Sequence, residues 1–325
     1  MSLPVPEPAE PTRADVDRAF RREVMASLPR AEIAALHVRR PLVHLAVASW
    51  QVSTFAVAFG LAVRFDDPRI WVPAAVWMGF GVLGFTILLH DVVHHAVFSR
   101  RRPVAERLLG LLYALPSGLA PSQFARWHLD HHDHLGEAGD PKRTYLSPKR
   151  NARWLKALYF TPALFPIYFR AAARGAAAYP PALRARIRAE RLAVIGVHLA
   201  AMIGLARWGG SEVLARAYLV PYLLVFPVAF ALNRLGQHYD IDAQDPAKTA
   251  TRVDGNLPWR VLFLNSNHHL EHHWFPGVPL YNLPRLSRLL RPFFARRGVR
   301  NRTYGALLVG WFVHNRAPHS RWEDV

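Results

Sequence analysis

The 325-residue chain contains no cysteine. That absence removes disulfides, thiolate-ligated zinc, iron–sulfur clusters and thiol nucleophiles together, and it is compatible with a reducing cytosol. Acidic residues are also scarce: 23 Asp and Glu stand against 41 Lys and Arg, for a formal charge of +18. Such basicity suits phosphate backbones, but no nucleic-acid motif accompanies it, so nucleic acid is not an expected partner. The arginines concentrate outside the apolar runs, above all between 100 and 188 and between 285 and 302. That is the positive-inside pattern of membrane proteins, and it also suits anionic headgroups. Internal repeats and low-complexity tracts are absent. The polar, proline-rich start has no apolar run behind a short basic segment, so a signal peptide is not expected. A disordered tip, then an amphipathic or surface helix from about Arg13, is expected instead.

What the chain does have is four long, nearly uncharged runs, at 41–63, 70–89, 192–206 and 217–232. A bilayer crossing takes about 20 mostly apolar residues. The first two runs suffice alone; the last two recruit flanking residues such as Arg207 or Arg216, whose long stems reach the interface. Any single run would pass for a buried core helix, but four with basic flanks predict membrane spans near 41–63, 70–90, 191–207 and 216–234. These lie in one membrane domain, 41–325, behind a cytosolic segment, 1–40. Two shorter apolar stretches, "LLGLLYALP" and "ALYFTPALFPIYF", are too short or too proline-broken to span and are expected to lie along the membrane surface.

Histidine is the second abundance. Twelve of the 17 fall in four places: "HDVVHH" (His90 to His95), "WHLDHHDHLG" (Trp127 to Gly136), "GQHYD" around His238, and "NSNHHLEHHWFPGVP" (Asn265 to Pro279). The other five (His37, His44, His198, His314 and His319) read as ordinary packing or surface residues. With the basic N-terminal region in the cytosol, four spans return every histidine-bearing segment to the cytosolic face; three spans would divide them.

The spacings ask for metal. Positions i, i+3 and i+4 share a helix face, so His90 and His94 are aligned. The pattern H-x-x-H-H occurs twice, as His128, His131 and His132 and as His269, His272 and His273. Each box is expected to aim its imidazoles at one point. Neutral imidazole ligates zinc, copper, iron and nickel. With His238 these make nine, too many for one tetrahedral zinc and suited to two metals with four or five ligands each. The zinc-protease H-E-x-x-H is absent. A zinc deaminase needs a P-C-x-x-C that a cysteine-free chain cannot supply, and the Glu-x-x-His pair of soluble di-iron bundles does not occur. A pH-sensing cluster would not need H-x-x-H-H twice.

"HDVVHH", "HLDHH" and "HLEHHWFPGVPLYNLPRL" resemble the three histidine boxes of the membrane fatty-acid desaturase/hydroxylase superfamily. The third box is similar to that of bacterial and front-end acyl desaturases, through to its "YNLPRL" tail. The resemblance covers roughly 89–286. It implies an all-α integral membrane protein, a four-helix transmembrane bundle with a cytosolic helical cap carrying a di-iron site. That site uses O2 as co-substrate to remove hydrogen from an acyl chain. Carried over residue by residue, it makes His90, His94, His128, His131, His132, His269, His272 and His273 the iron ligands, with His238 matching an isolated histidine of related proteins. His95 is the alternative to His94; His134 and His268 are surplus. Asp91, Asp130, Asp133 and Glu271 are candidates to hold an imidazole's other N–H. No haem-binding His-Pro-Gly-Gly is present, so a separate electron donor of ferredoxin or cytochrome b5 type is expected. The basic surface at Arg100 to Arg102, Lys149 and Arg150 is positioned to dock an acidic one. The multi-pass protein is expected in an inner or cytoplasmic membrane with its site facing the cytosol.

The leading expectation is an O2-dependent fatty-acid (acyl-lipid) desaturase. The same ligand set serves a hydroxylase or ketolase of a fatty acid, sphingolipid or carotenoid. A non-catalytic metal-binding membrane protein such as a transporter would instead need ionisable groups within its spans, where this chain has little beyond His44 and His198.

Overall fold

The computed structural model describes residues 13–135, 137, 139–142, 151–242 and 244–317. Among these, all regular structure is helical. The expected surface helix forms as α1 (Arg13–Ala26), which turns Phe20 and Val24 into the core. Glu23 on its outer side pairs with Arg297. The expected disordered tip lies outside the described residues. A short α2 (Arg30–Leu36) leads into the first apolar helix.

Three helices are long and apolar enough to cross a membrane: α3 (Pro41–Arg64), α4 (Pro68–Val93) and a third segment, Pro181–His238. Both α3 and α4 begin on a proline, whose missing N–H would have no partner in a first turn anyway. Asp67 caps α4 by accepting a hydrogen bond from Arg69 N at 2.9 Å. The two helices lie against each other, and small residues let them approach closely, as is usual where lipid provides no hydrophobic drive. A Cβ at Gly84 would sit 2.8 Å from Gln51 Oε1. Its absence lets Gln51 Nε2 donate to Gly81 O at 3.1 Å. Most of the apolar stretch of α4 is buried, and most of that of α3 is not. Leu42, Val52 and Val57 on α3 are exposed, and so many outward apolar side chains mark a surface made for lipid. The chain is a membrane protein.

Beyond α4 come α5 (Pro103–Ala114), α6 (Pro121–Asp133), α7 (Arg153–Leu158) and α8 (Leu164–Ala177). The first predicted surface stretch falls on α5, where Val104, Leu108 and Leu112, spaced four apart, are exposed together. The second spans the break between α7 and α8.

The third apolar segment is not straight. Its first part, α9 (Pro181–Leu214), is interrupted at Gly210, with φ +72° and ψ −174°. Residues 20 apart on a continuous helix would be roughly 30 Å apart, yet His198 Nδ1 lies 2.5 Å from Tyr218 Oη. The chain therefore folds back at this point. It continues through π-helical turns, Ala215–Val225, into α10 (Phe226–His238). The Arg216 guanidinium, expected to flank a span, donates to Ala62 O at 3.1 Å and Val63 O at 3.4 Å, capping the end of α3. The remaining helices are α11 (Leu257–Leu262), α12 (His269–Trp274), α13 (Leu283–Leu289), α14 (Arg291–Arg296) and α15 (Tyr304–Leu308). They pack with α1 and α2 beside the ends of α4 and α10.

The reversal depends on a conformation that side chains rarely adopt. Gly210→Ala meets no neighbouring atom, so its cost is conformational, about 1–3 kcal/mol. It should lower the melting temperature of the detergent-solubilised protein. Gly204→Ala, on the same helix with equally open space, should leave it unchanged or raise it.

Candidate metal centre

Four helix ends meet where the apolar segments give way to the cap. His90 lies in the last turn of α4, and His94 follows at its end. α6 brings His128, His131 and His132, α10 ends on His238, and α12 carries His269, His272 and His273. The nine rings gather into two adjoining groups. His90, His94, His128, His132 and His272 form one; His131, His238, His269 and His273 form the other; within each group the donor nitrogens all lie within 4.8 Å of one another.

The expectation that each box aims at one point needs correction. In both H-x-x-H-H boxes the i, i+4 pair enters one group and the histidine beside its second member enters the other. His128 and His132 join the first group while His131 joins the second; His269 and His273 join the second while His272 joins the first. Successive helical residues diverge by about 100°, so neighbours in sequence cannot share a focus. Each box thereby ties the two groups together, with the His132 and His273 ring centroids 4.4 Å apart.

The nitrogens are too many and too close to satisfy one another. His94 Nε2 lies 2.7 Å from His128 Nε2, and His272 Nε2 lies 3.1 Å from His132 Nε2. His238 Nε2 meets the Nε2 atoms of His131, His269 and His273 at 3.0, 2.8 and 3.3 Å. One imidazole nitrogen carries one proton or one lone pair, so three such contacts cannot all be hydrogen bonds. Ligand nitrogens about 2.1 Å from a shared first-row ion lie roughly 3.0–3.4 Å apart. The donor set fits two metal ions.

Electrostatics keeps the rings neutral, as ligation requires. Burial, followed by the charge of Lys142, pushes His131 down to about 4 and His94 to about 3. Burial likewise depresses His128, His132, His269, His272 and His273. Asp140 orients one ring: His131 Nδ1–H donates to its Oδ1 at 2.8 Å, which turns the Nε2 lone pair toward the second group. Asp140 also accepts from Lys142 N at 2.9 Å. Lys142 Nζ lies 3.3 Å from His128 Nδ1, and burial together with Arg234 pushes this lysine down to about 7.

The other expected residues divide. His95, in left-handed conformation at φ +52°, turns away from the groups to Glu106 at 2.9 Å and Arg101 at 2.8 Å. His134 pairs with Glu137 at 3.1 Å. His268 is buried beside Glu271, 3.7 Å away. Among the four carboxylates, Asp91 accepts from Leu280 N and lies 3.4 Å from His44 Nδ1, so it fastens the third box to the first rather than holding a site imidazole. Asp130 binds Arg126 and Tyr179, and Asp133 lines an outer cleft. Sequence reasoning missed Asp140, Lys142, His44 and Tyr113, whose hydroxyl lies 3.2 Å from His44 Nε2. Only Asp140 left a signal: it stands before a proline eight residues past the second box, where the backbone is held extended.

Two openings reach the site. A cavity of about 100 Å3 adjoins His90, His128, His269 and His272. It shares Thr86, Phe124, Tyr168 and Phe230 with an almost wholly apolar cavity of about 360 Å3 between α8, α9 and the π-helical turns. A separate cleft of about 520 Å3, lined by Phe20 and Val24 of α1, reaches His132 and His273.

Residues 69–305 match the family model for fatty acid desaturases, and the chain belongs to that family. It is 27% identical over 289 residues to the human sphingolipid delta(4)-desaturase/C4-monooxygenase, covering 84% of this chain and 81% of the relative. A fruit-fly (Drosophila melanogaster) sphingolipid delta(4)-desaturase is 27% identical over 231 residues, 69% of this chain and 68% of the relative. The chicken (Gallus gallus) sphingolipid delta(4)-desaturase is 25% identical over 280 residues, 84% and 81%. As a member of that family it is an oxygen-dependent oxidoreductase of lipid metabolism, and its histidine groups are compatible with an iron site.

Two outcomes follow. Asp140→Asn should weaken iron binding about 10- to 100-fold, measured by titrating metal-free protein with ferrous iron. The second concerns acid. His131 is depressed to about 4 from the ordinary 6.5, so the unfolded chain binds more protons between those values. Stability of the metal-free protein should be full above about pH 6.5 and fall as pH drops toward about 4. A melting temperature flat across that window would contradict the neutral cluster.

Proposed function

We propose that the nine histidines are the ligands of a di-iron centre, five on one iron and four on the other, that desaturates an acyl-lipid chain. The observation that carries this is the pairing of two imidazole groups with a cavity beside them that shares lining residues with a second, almost wholly apolar one. Imidazole alone also suits zinc or copper; family membership favours iron. We further propose that the chain crosses the bilayer four times, reversing at Gly210, within one membrane domain from 41 to 325. The cap, the 1–40 segment and the site then face the cytosol, in an inner or cytoplasmic membrane.

Bound iron supplies the dioxygen chemistry that removes hydrogen from an unactivated methylene. The chain's own residues do the rest. Apolar walls at Leu83, Ile87, Phe124 and Phe230 exclude water and align the lipid chain past His90 and His269. Asp140 fixes the His131 tautomer. Asp91 keeps the first and third boxes in register through Leu280 N. For desaturation the balance is two hydrogens from the chain, one O2, two electrons and two protons, giving one double bond and two waters. The electrons come from a separate carrier of ferredoxin or cytochrome b5 type. Arg100 to Arg102, exposed at the cap, suit an acidic partner; Lys149 and Arg150, read with them, lie outside the described residues.

A second reading has a specific support. Relatives named for both delta(4)-desaturation and C4-monooxygenation of sphingolipids favour a site able to hydroxylate as well, and a sphingolipid as one substrate class. Expression in a host of defined lipid profile, followed by mass spectrometry, separates the two: products lighter by two hydrogens mean desaturation, products heavier by one oxygen mean hydroxylation. An unchanged lipid profile, with the electron carrier supplied, contradicts both.

His238 tests the metal assignment. It is the shared contact of the four-histidine group, so His238→Ala should lower iron from about two per chain toward one and abolish turnover while leaving the protein folded in detergent. Full iron occupancy with near-normal activity would remove it from the site.

A further inference from the structure

We propose that His198, Tyr218 and Tyr222 form a polar recognition point inside the apolar cavity, one that takes a hydroxyl group carried on the lipid chain. This rests on the reading that the cavity holds an acyl chain, and it adds a specificity that the iron site itself does not provide.

Hydrogen-bond logic assigns the roles. His198 Nε2 lies 2.8 Å from Leu115 O. A carbonyl only accepts, so Nε2 carries the proton. In the neutral ring that leaves Nδ1 as an acceptor, and its partner at 2.5 Å is Tyr218 Oη. The Tyr218 O–H is thereby committed to donating to His198, and its oxygen lone pairs are what remain to offer. Tyr222 stacks on Tyr218 with ring centroids 4.5 Å apart and planes inclined by 17°. Its hydroxyl makes no hydrogen bond among the described residues. One fixed acceptor and one rotatable donor–acceptor therefore stand side by side. A hydroxyl is the smallest group that satisfies both, donating to Tyr218 and accepting from Tyr222.

Location makes the arrangement selective. All three side chains line the cavity of about 360 Å3, whose surface is otherwise almost entirely apolar. The three residues are half-buried, and a polar group that faces apolar surroundings without a partner is costly, so a site that offers such groups favours a ligand carrying the matching function. The cavity wall includes exposed Ile195, Leu199 and Leu223, a lateral face through which a membrane lipid can enter. At its other end Thr86, Phe124, Tyr168 and Phe230 lead on to His90 and His269. A hydroxyl held at Tyr218 would set how far the chain reaches into the metal centre, and hence which carbons lie beside it.

The test is competitive binding to the purified full-length protein in detergent, with cis-parinaric acid as fluorescent probe. Stearic acid and a set of stearates bearing one hydroxyl at successive positions are the competitors. At least one positional isomer should displace the probe at about fivefold lower concentration than stearate. In Tyr218→Phe and in Tyr222→Phe that advantage should shrink toward parity, with melting temperatures recorded alongside. Isomers no better than stearate in the unmodified protein would overturn the proposal. So would an advantage that survives both substitutions while only the melting temperature falls, since that describes a structural pin between α9 and the returning chain. If neither stearate nor any isomer displaces the probe, the acyl-chain reading of the cavity fails, and this proposal with it.

Discussion

Nine imidazole rings packed at the ends of four helices cannot be cations, and they cannot satisfy one another with the protons that neutral rings carry. Burial removes the first option, as the depressed values of His94 and His131 show. Geometry removes the second, because His238 Nε2 faces three other nitrogens at hydrogen-bonding distance. A metal cation held by each group, as proposed, would answer both problems. Much of the fold can be read as the scaffolding that holds these rings at one end of the apolar segments against their own desolvation.

That scaffolding is built from few interactions. α4 is the most buried of the apolar helices, and it carries both the first histidine pair and Asp91, which grips the backbone after the third box. Asp91 sits beside His44, and His44 beside Tyr113, so α3 and α5 are drawn into the same support. On the second box, Asp140 performs the local task of fixing one tautomer. The groups that hold the site are thus themselves buried, and each depends on another for its hydrogen bonds.

How far this was legible in the sequence depended on distance along the chain. The nine histidines could be read because helical spacing is local: His90 and His94, or His128 and His132, align whatever the tertiary fold. Their division into five and four could not be foreseen from the boxes, since it depends on how two helices face each other across the site. His238 stands alone, and it was the count of apolar runs and the likeness to an isolated histidine of related proteins that linked it to the boxes it joins. Asp140 was overlooked because the four carboxylates considered lay inside the boxes, where three of them turn out to serve backbone, arginine or solvent. His44 and His198 were read as packing residues, since a lone histidine in an apolar run has no partner visible in sequence; Tyr113 and Tyr218 reach them only through the fold. The reversal near Gly210 falls in the break between the apolar runs at 192–206 and 217–232, whereas the π-helical turns after it left no such mark.

The unequal division of the histidines gives the central claim its most direct measurement. Mössbauer spectroscopy of protein loaded with 57Fe should show two iron environments of equal weight, one for the five-imidazole group and one for the four-imidazole group. A single iron environment, or one iron per chain with the second group metal-free, would contradict the account.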